Sequence, residues 1–335
     1  MTWLTWRQFR TQAAAVYAAV VAFVIVLAIT GPRLLELSRA YPDTLFDHLT
    51  AADQRLFNAG LVALVLAPAL IGAFWGAPLI ARELETGTST LAWTQSVTRT
   101  RWLATKLGIL ALAAAAAAGV LSLAVSWWAA PLDGATGSQR GSLPARLTPV
   151  SFAMRGVVPV GYAVFALVLG VAAGLVVRRA VPAMAVTLAL FAFVQIAVPL
   201  WVRPHLVPPA RQTVTISDHL DGIMRSGPDD PFIITARTGD RGDWVLSNRT
   251  VDATGRPAAV PSWFIDCLPE QGAGPTKVDI RSCVARLDDL GYRQLLVYQP
   301  ASRFWALQWA ETGMFLGTSA LLAAFCFWWT RRRLS

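Results

Sequence analysis

Six long apolar runs, joined by polar connections of very unequal length, organise this chain. Ala13 to Thr30 is 18 residues without a charge, Gly60 to Ile80 is 21, and Leu107 to Pro131 is 25. A fourth run covers about Gly156–Val177 and a fifth about Ala180–Val202, parted only by Arg178-Arg179 and the Pro182 neighbourhood. The sixth, about Phe304–Trp329, ends in Thr330-Arg331-Arg332-Arg333. An α-helix needs about 20 apolar residues to cross the hydrocarbon layer. The pattern therefore predicts an all-α polytopic membrane protein with six transmembrane helices, and so tight a fourth-to-fifth connection forces an antiparallel pair.

The connections carry the rest of the organisation. Residues 1–12, MTWLTWRQFRTQ, set Trp3, Leu4 and Trp6 beside Arg7 and Arg10, a mixture suited to a short helix in the headgroup zone. The first apolar run is longer than the roughly 7–15 residues of a signal peptide and ends in Gly31-Pro32-Arg33, so it reads as a retained span. Residues 31–58 form a polar loop with a helical piece, and residues 131–154 a Gly- and Pro-rich loop. Residues 203–303 differ in kind. Short β-rich runs at 214–216, 232–236, 244–247 and 294–298, several separated by Gly and Pro, predict a small strand-containing domain between helices five and six. The domains expected are 1–202, with five spans and a polar segment at 81–106; 203–303; and 304–335, the last span with a basic tail.

Composition and charge sharpen this picture. The chain is 55% hydrophobic and 15% charged, against about 25% charged in a soluble domain. Residues 1–12, 81–106, 178–179 and 330–335 hold eleven basic residues and two acidic ones, a net charge of +9; the remaining 18 basic and 18 acidic residues cancel. Basic loops stay in the cytoplasm. Both termini and the 81–106 segment are therefore expected in the cytoplasm and the 203–303 domain outside, in the manner of a bacterial cytoplasmic-membrane protein. The basic excess is topology and points to no nucleic-acid partner. Cys267 and Cys283 both fall in the outer domain, where disulfides persist. Their pairing would close a loop of about 16 residues and stabilise by about 3 kcal/mol; two reduced, buried thiols are the alternative. Three cysteines and three scattered histidines offer no metal site.

Catalytic motifs are absent: there is no phosphate-binding G-x-x-x-x-G-K-[ST], no G-x-S-x-G and no H-E-x-x-H. Intramembrane polar groups come next, because they are costly in lipid. Glu311 lies about seven residues into the last span, and either faces a cavity, pairs with Arg155, or sits near the interface among Trp305, Gln308 and Trp309. Gln195 in the fifth span is a helix–helix hydrogen bond or a pathway contact. Pro68 and Pro199 can kink their helices. The alanine-rich third span, with Gly119, suits close helix packing.

The polar segment between spans two and three is the most specific signal. Glu83, Gly87, Thr88 and Leu91, followed by Val97, Thr98, Arg99 and Lys106, resemble the permease subunits of type-2 ATP-binding-cassette exporters. The fuller strings Ala81–Glu85, Leu91–Arg99 and Arg101-Trp102, with the C-terminal run Val297–Trp305, look like the actinobacterial branch; Ser96 stands where much of the wider group has Pro. The resemblance implies that this segment is a coupling helix on a separate ATPase subunit, which binds ATP and Mg while this chain carries no cofactor. Arg82, Glu83, Glu85, Gly87, Thr88 and Arg99 would meet that partner, and the chain would pair with a second copy or a homologous permease. The likeness also lines the pathway with the second and fifth spans, hence Trp75 and Gln195, with Pro68, Pro199 and Glu311 alongside. The cargo expected is an amphipathic or lipid-like compound (a drug, antibiotic, peptide or lipid) moved out of the cytoplasm. The rival reading is a non-transporting sensor or scaffold whose outer domain binds an envelope ligand.

Overall fold

The computed structural model describes residues 2–87, 98–133, 144, 146–224, 232–240, 242–267 and 280–332. It divides into two compact units, residues 1–206 with 305–335, and residues 207–304. Within the first unit and at its boundary, six helices are long and apolar enough to cross a membrane: Phe9–Ala40, Ala51–Glu85, Thr100–Asp133, Val158–Val177, Ala180–Leu206 and Ala301–Arg332.

The first helix, α1, runs unbroken over Thr2–Ala40. It neither begins as a separate interfacial piece nor stops at Gly31-Pro32. Proline removes one backbone donor, but packing outweighs that loss here. Leu27 and Leu34, on either side of Pro32, are both sealed in a core with Phe57, Leu64, Val125 and Trp128. Gly31 lets the Trp127 ring close on the backbone, and a Cβ there would meet that ring. The Trp128 indole N–H also donates to Thr30 Oγ1 at 3.0 Å. A 3₁₀ turn at Leu45–His48 follows, and α2 (Ala51–Leu70) opens with a reciprocal cap between Thr50 and Asp53. Such a box satisfies two of the orphan amides of a helix start.

Pro68 lies inside α2, and directly after that helix the backbone widens into a π-helical turn, Ile71–Gly76, before continuing as α3 (Ala77–Glu85). The next helices are α4 (Arg99–Asp133), α5 (Val158–Val177), α6 (Ala180–Ala197) and, after the second unit, α8 (Phe304–Arg332). Pro199 falls within a second π-helical turn, Val198–Val202, that ends α6. Pro68 and Pro199 thus accompany local unwinding of the helical ladder, which π turns commonly mark.

The centre of the first unit is α5, buried along most of its length. It meets the second span through glycine. Gly72-x-x-x-Gly76 and Gly170-x-x-x-Gly174 interlock: a Cβ on Gly72 would strike the Ala166 carbonyl, one on Gly76 the Leu167 carbonyl, one on Gly170 the Gly72 carbonyl, and one on Gly174 the Ala77 carbonyl. Small residues at four-residue spacing let two helices approach to backbone contact. By comparison, a Cβ on Gly119 in the alanine-rich α4 would sit at an ordinary 3.6 Å from Val160. The intimate helix pair is the second and fourth spans.

The second unit is a small α+β fold. Strands β1 (Ala210–Val214), β5 (Arg293–Gln299) and β4 (Trp244–Val251) form an antiparallel sheet in the order β1-β5-β4, and β2 (Leu220–Met224) pairs with β3 (Ile233–Ala236). Of the strand-like run 214–216, only Val214 is strand; Ile216 starts a helical turn whose Ile216 and Ser217 amides donate to the Asp288 carboxylate, each at 2.9 Å. Helix α7 (Ile280–Asp289) covers a core of Ile216, Ile234, Phe264, Val284 and Leu287. The Cys267–Cys283 disulfide is formed inside that core.

Candidate functional site

Two polar constructions occupy opposite ends of the same antiparallel helices. At the first, α3 ends where α4 begins and where α6 starts. The Lys106 ammonium donates to Glu83 Oε1 and stands 4.8 Å from the centre of the Trp102 ring. Lys106 is almost fully buried, so the adjacent carboxylate and the ring face replace the water it has lost. Glu85 reaches the start of α6 and accepts the Ala180 N–H at 3.2 Å. A carboxylate there satisfies an orphan amide and opposes the positive end of the helix dipole. The Thr86 N–H closes the last turn on the Arg82 carbonyl at 2.9 Å, and Gly87 follows with φ +70°. Left-handed backbone of this kind after a helix end favours glycine. Glu83 and Glu85 therefore have internal partners and hold the end of α3 to its neighbours. Thr88 and residues up to 97 lie outside the described residues, as does the side chain of Arg99.

Beside this end lies a cleft of about 240 Å³ lined by Phe9 and Gln12 of α1, Trp75, Pro78, Leu79, Arg82 and Glu83 of the second span, and Leu110 of α4. Phe9 and Trp75 meet edge to face, centroids 4.4 Å apart. Of the residues singled out for a pathway, only Trp75 enters this cleft. Pro68 is buried in α2, and Gln195 in α6 has a buried Nε2 with no hydrogen-bond partner among the described residues.

The opposite end is a buried polar layer. Arg203 and Glu311 form a side-on fork, Nε to Oε2 at 2.7 Å and Nη2 to Oε1 at 3.0 Å, with both side chains wholly excluded from solvent. The Tyr162 hydroxyl donates to Glu311 Oε1 and accepts from Arg203 Nη2 at 3.1 Å. The remaining guanidinium nitrogen donates to the Pro149 carbonyl at 2.8 Å, and the Phe152 ring lies 4.4 Å beneath the guanidinium carbon. One turn away on α8, Gln308 Oε1 accepts from the Val157 and Val158 amides, each at 3.0 Å, and its Nε2 donates to the Phe152 carbonyl at 3.2 Å. Ser122 and Ser126 of α4 bind the Gly156 carbonyl and amide.

The segment entering α5 is thus pinned from three helices. Of the alternatives for Glu311, a cavity, Arg155 or the interface, none occurs: its partner is Arg203. Arg155 is bound to Asp133 at the end of α4, while Glu311, Gln308 and Phe315 share the buried face of α8 that carries them to Arg203, Tyr162 and the 149–158 segment. Sequence reading missed Arg203 because it stands at the edge of the polar region. The usable signal was the acid itself: a carboxylate inside a span needs a cation, and Arg203 directly follows the fifth apolar run.

The sequence comparison decides what kind of membrane protein this helix bundle is. Residues 12–203 match the family described as ABC-2 membrane transporter related, more than half of the chain. The chain belongs to that family. No curated protein and no solved structure matches it. The ABC-2 match makes it a multi-pass membrane permease of an ABC transporter, a component that is generally non-catalytic and works with an ABC ATPase. The ABC-2 region runs from α1 through the second π turn and stops at Arg203. The second unit and α8, with Glu311, lie beyond it.

Proposed function

We propose that this chain is the permease half of an ATP-driven exporter that moves an amphipathic or lipid-like compound out of the cytoplasm. It pairs with a second copy or a homologous permease, and two separate ATPase subunits bind ATP and Mg. Both termini and the 81–106 segment lie in the cytoplasm, as the basic excess of that face favours. The unit at 207–304 lies outside. Arg82, Glu83, Glu85, Gly87, Thr88 and Arg99 belong to the surface that docks on the ATPase, and closure of the ATPases displaces the end of α3. The observation that carries the reading is mechanical. The α3 end is tied to α4 through Glu83–Lys106 and to α6 through Glu85–Ala180, and the turn leading into α3, with Ala77, is backbone-locked to the central α5. A push on residues 82–87 therefore enters the core of the bundle.

The test is purification of the chain with its ATPase in lipid vesicles, measuring ATP hydrolysis and its stimulation by the permease. Arg82→Glu and Glu85→Arg should uncouple hydrolysis from the permease. Glu83→Arg combined with Lys106→Glu keeps an opposite-charge pair but sets a carboxylate on the Trp102 ring face, so its uncoupling counts as docking only where its melting temperature matches that of the unaltered chain. A non-transporting sensor or scaffold, favoured by the separate disulfide-bonded unit, predicts hydrolysis indifferent to all of these changes.

A further inference from the structure

The cleft beside α3 has a composition that structural support of the helix end does not explain. Its floor is apolar and aromatic, made by Phe9, Trp75, Leu79 and Leu110, with Phe9, Trp75 and Leu110 buried. At its polar edge two charges meet, and they are not equivalent. Glu83 is already neutralised by Lys106. Arg82 is exposed and, among the described residues, has no ion-pair partner. The local balance of Arg82, Glu83 and Lys106 is one net positive charge, at a cleft whose exposed or half-buried lining is Gln12, Leu79, Arg82 and Glu83 over a buried Phe9–Trp75 floor.

Size narrows the occupant. A pocket that engulfs a drug-sized ligand holds about 300–1,000 Å³. At about 240 Å³, this cleft takes a headgroup with the first carbons of a chain and leaves the rest of the molecule in the surrounding apolar medium. Its helices come from the end that carries the chain's basic excess, and basic pockets between spans at such an end attract acidic headgroups.

We propose that this cleft binds a phosphate-bearing anionic amphiphile, its phosphate on the Arg82 guanidinium and the start of its chain against Leu79 and the Phe9–Trp75 floor. Guanidinium suits this because it offers a planar pair of donors to two phosphate oxygens. The site deepens the transport reading and rests on it for one point, that this end of the bundle faces the inner leaflet.

The experiment uses the full chain in a neutral detergent, with and without its ATPase, and measures retention of dioctanoyl phosphatidylglycerol, dioctanoyl phosphatidylcholine and inorganic phosphate by native mass spectrometry. Phosphatidylglycerol is expected to bind about fivefold more tightly than phosphatidylcholine, the factor one interfacial cation carries. Arg82→Gln should abolish that difference and Arg82→Lys keep most of it. Arg101→Gln, an exposed cation outside the cleft, should leave it intact. Equal retention of the two lipids, equal binding of bare phosphate, or an Arg101→Gln loss matching that of Arg82→Gln would overturn the proposal. Such a failure with ATPase coupling intact sinks only the lipid site, whereas an unaltered chain that does not couple to the ATPase sinks the reading beneath it.

Discussion

Glu311 and Arg203 are joined by two hydrogen bonds in a region neither shares with water. Both charges are desolvated, and Tyr162, Phe152 and the Pro149 carbonyl supply what solvent would have given. Such a pair costs nearly as much to bury as its attraction returns, yet breaking it strands a bare charge.

Single removal of either partner should therefore be severe and joint removal mild. Glu311→Gln or Arg203→Met alone is expected to destabilise the bundle by about 3–5 kcal/mol, while Arg203→Met with Glu311→Leu recovers most of that loss. Thermal unfolding of the full chain in detergent reads the three variants. A double variant as unstable as the sum of the singles would contradict the account.

At the glycine crossing, Gly170→Ala forces a methyl onto the Gly72 carbonyl and should cost about 1–3 kcal/mol. Gly108→Ala, where nothing lies within 4 Å, should instead stabilise by up to about 1 kcal/mol through helix propensity. Opposite shifts in melting temperature for one added methyl are the expected signature.

The disulfide closes a 16-residue separation in the second unit. Cys267→Ser with Cys283→Ser should weaken that unit by about 3 kcal/mol while leaving the helical bundle folded. Limited proteolysis of the variant, followed by fragment mapping, should show cuts concentrated between residues 207 and 304.

Acidity should act on the second unit through Asp252. Its carboxylate accepts the Thr254 hydroxyl at 2.7 Å and the Arg256 amide at 3.0 Å, and these bonds, the hydroxyl first, hold its pKa below the ordinary value. A depressed carboxylate stabilises above its unfolded pKa, about 3.9, and loses that contribution as pH falls through the folded value. Asp252→Asn should flatten this acid limb in a pH series of unfolding curves, and the effect should be small because the group is exposed.

What could be read from sequence followed the cost of charge in lipid. The uncharged runs located all six helices, because a long hydrocarbon-spanning segment tolerates few alternatives. Their ends were less legible. Gly31-Pro32 looks like a stop, and only the packing of Leu27, Leu34 and Trp127 around it reveals continuation to Ala40. Partners across the bundle were not legible either. Glu311 was recognisable as a group in need of a cation, but whether Arg155 or Arg203 met it depended on how 149–158 folds back between helices. The glycines at 72, 76, 170 and 174 were visible as a spacing in both spans, yet the more conspicuous alanine run in α4 drew the expectation of close packing. The linker's own strand of evidence, residues 88–97, lies outside the described residues.

The glycine crossing has a last implication for motion. Most neighbouring helices are separated by a cushion of side chains that can slide or re-orient when one of them shifts. Between α5 and the Ile71–Gly76 turn with Ala77 there is almost no such cushion, since carbonyl oxygens rest against bare Cα carbons. Any displacement at Glu85 must travel without slack, and the second and fourth spans should shift as one strut, leaving the looser contacts elsewhere to do the bending.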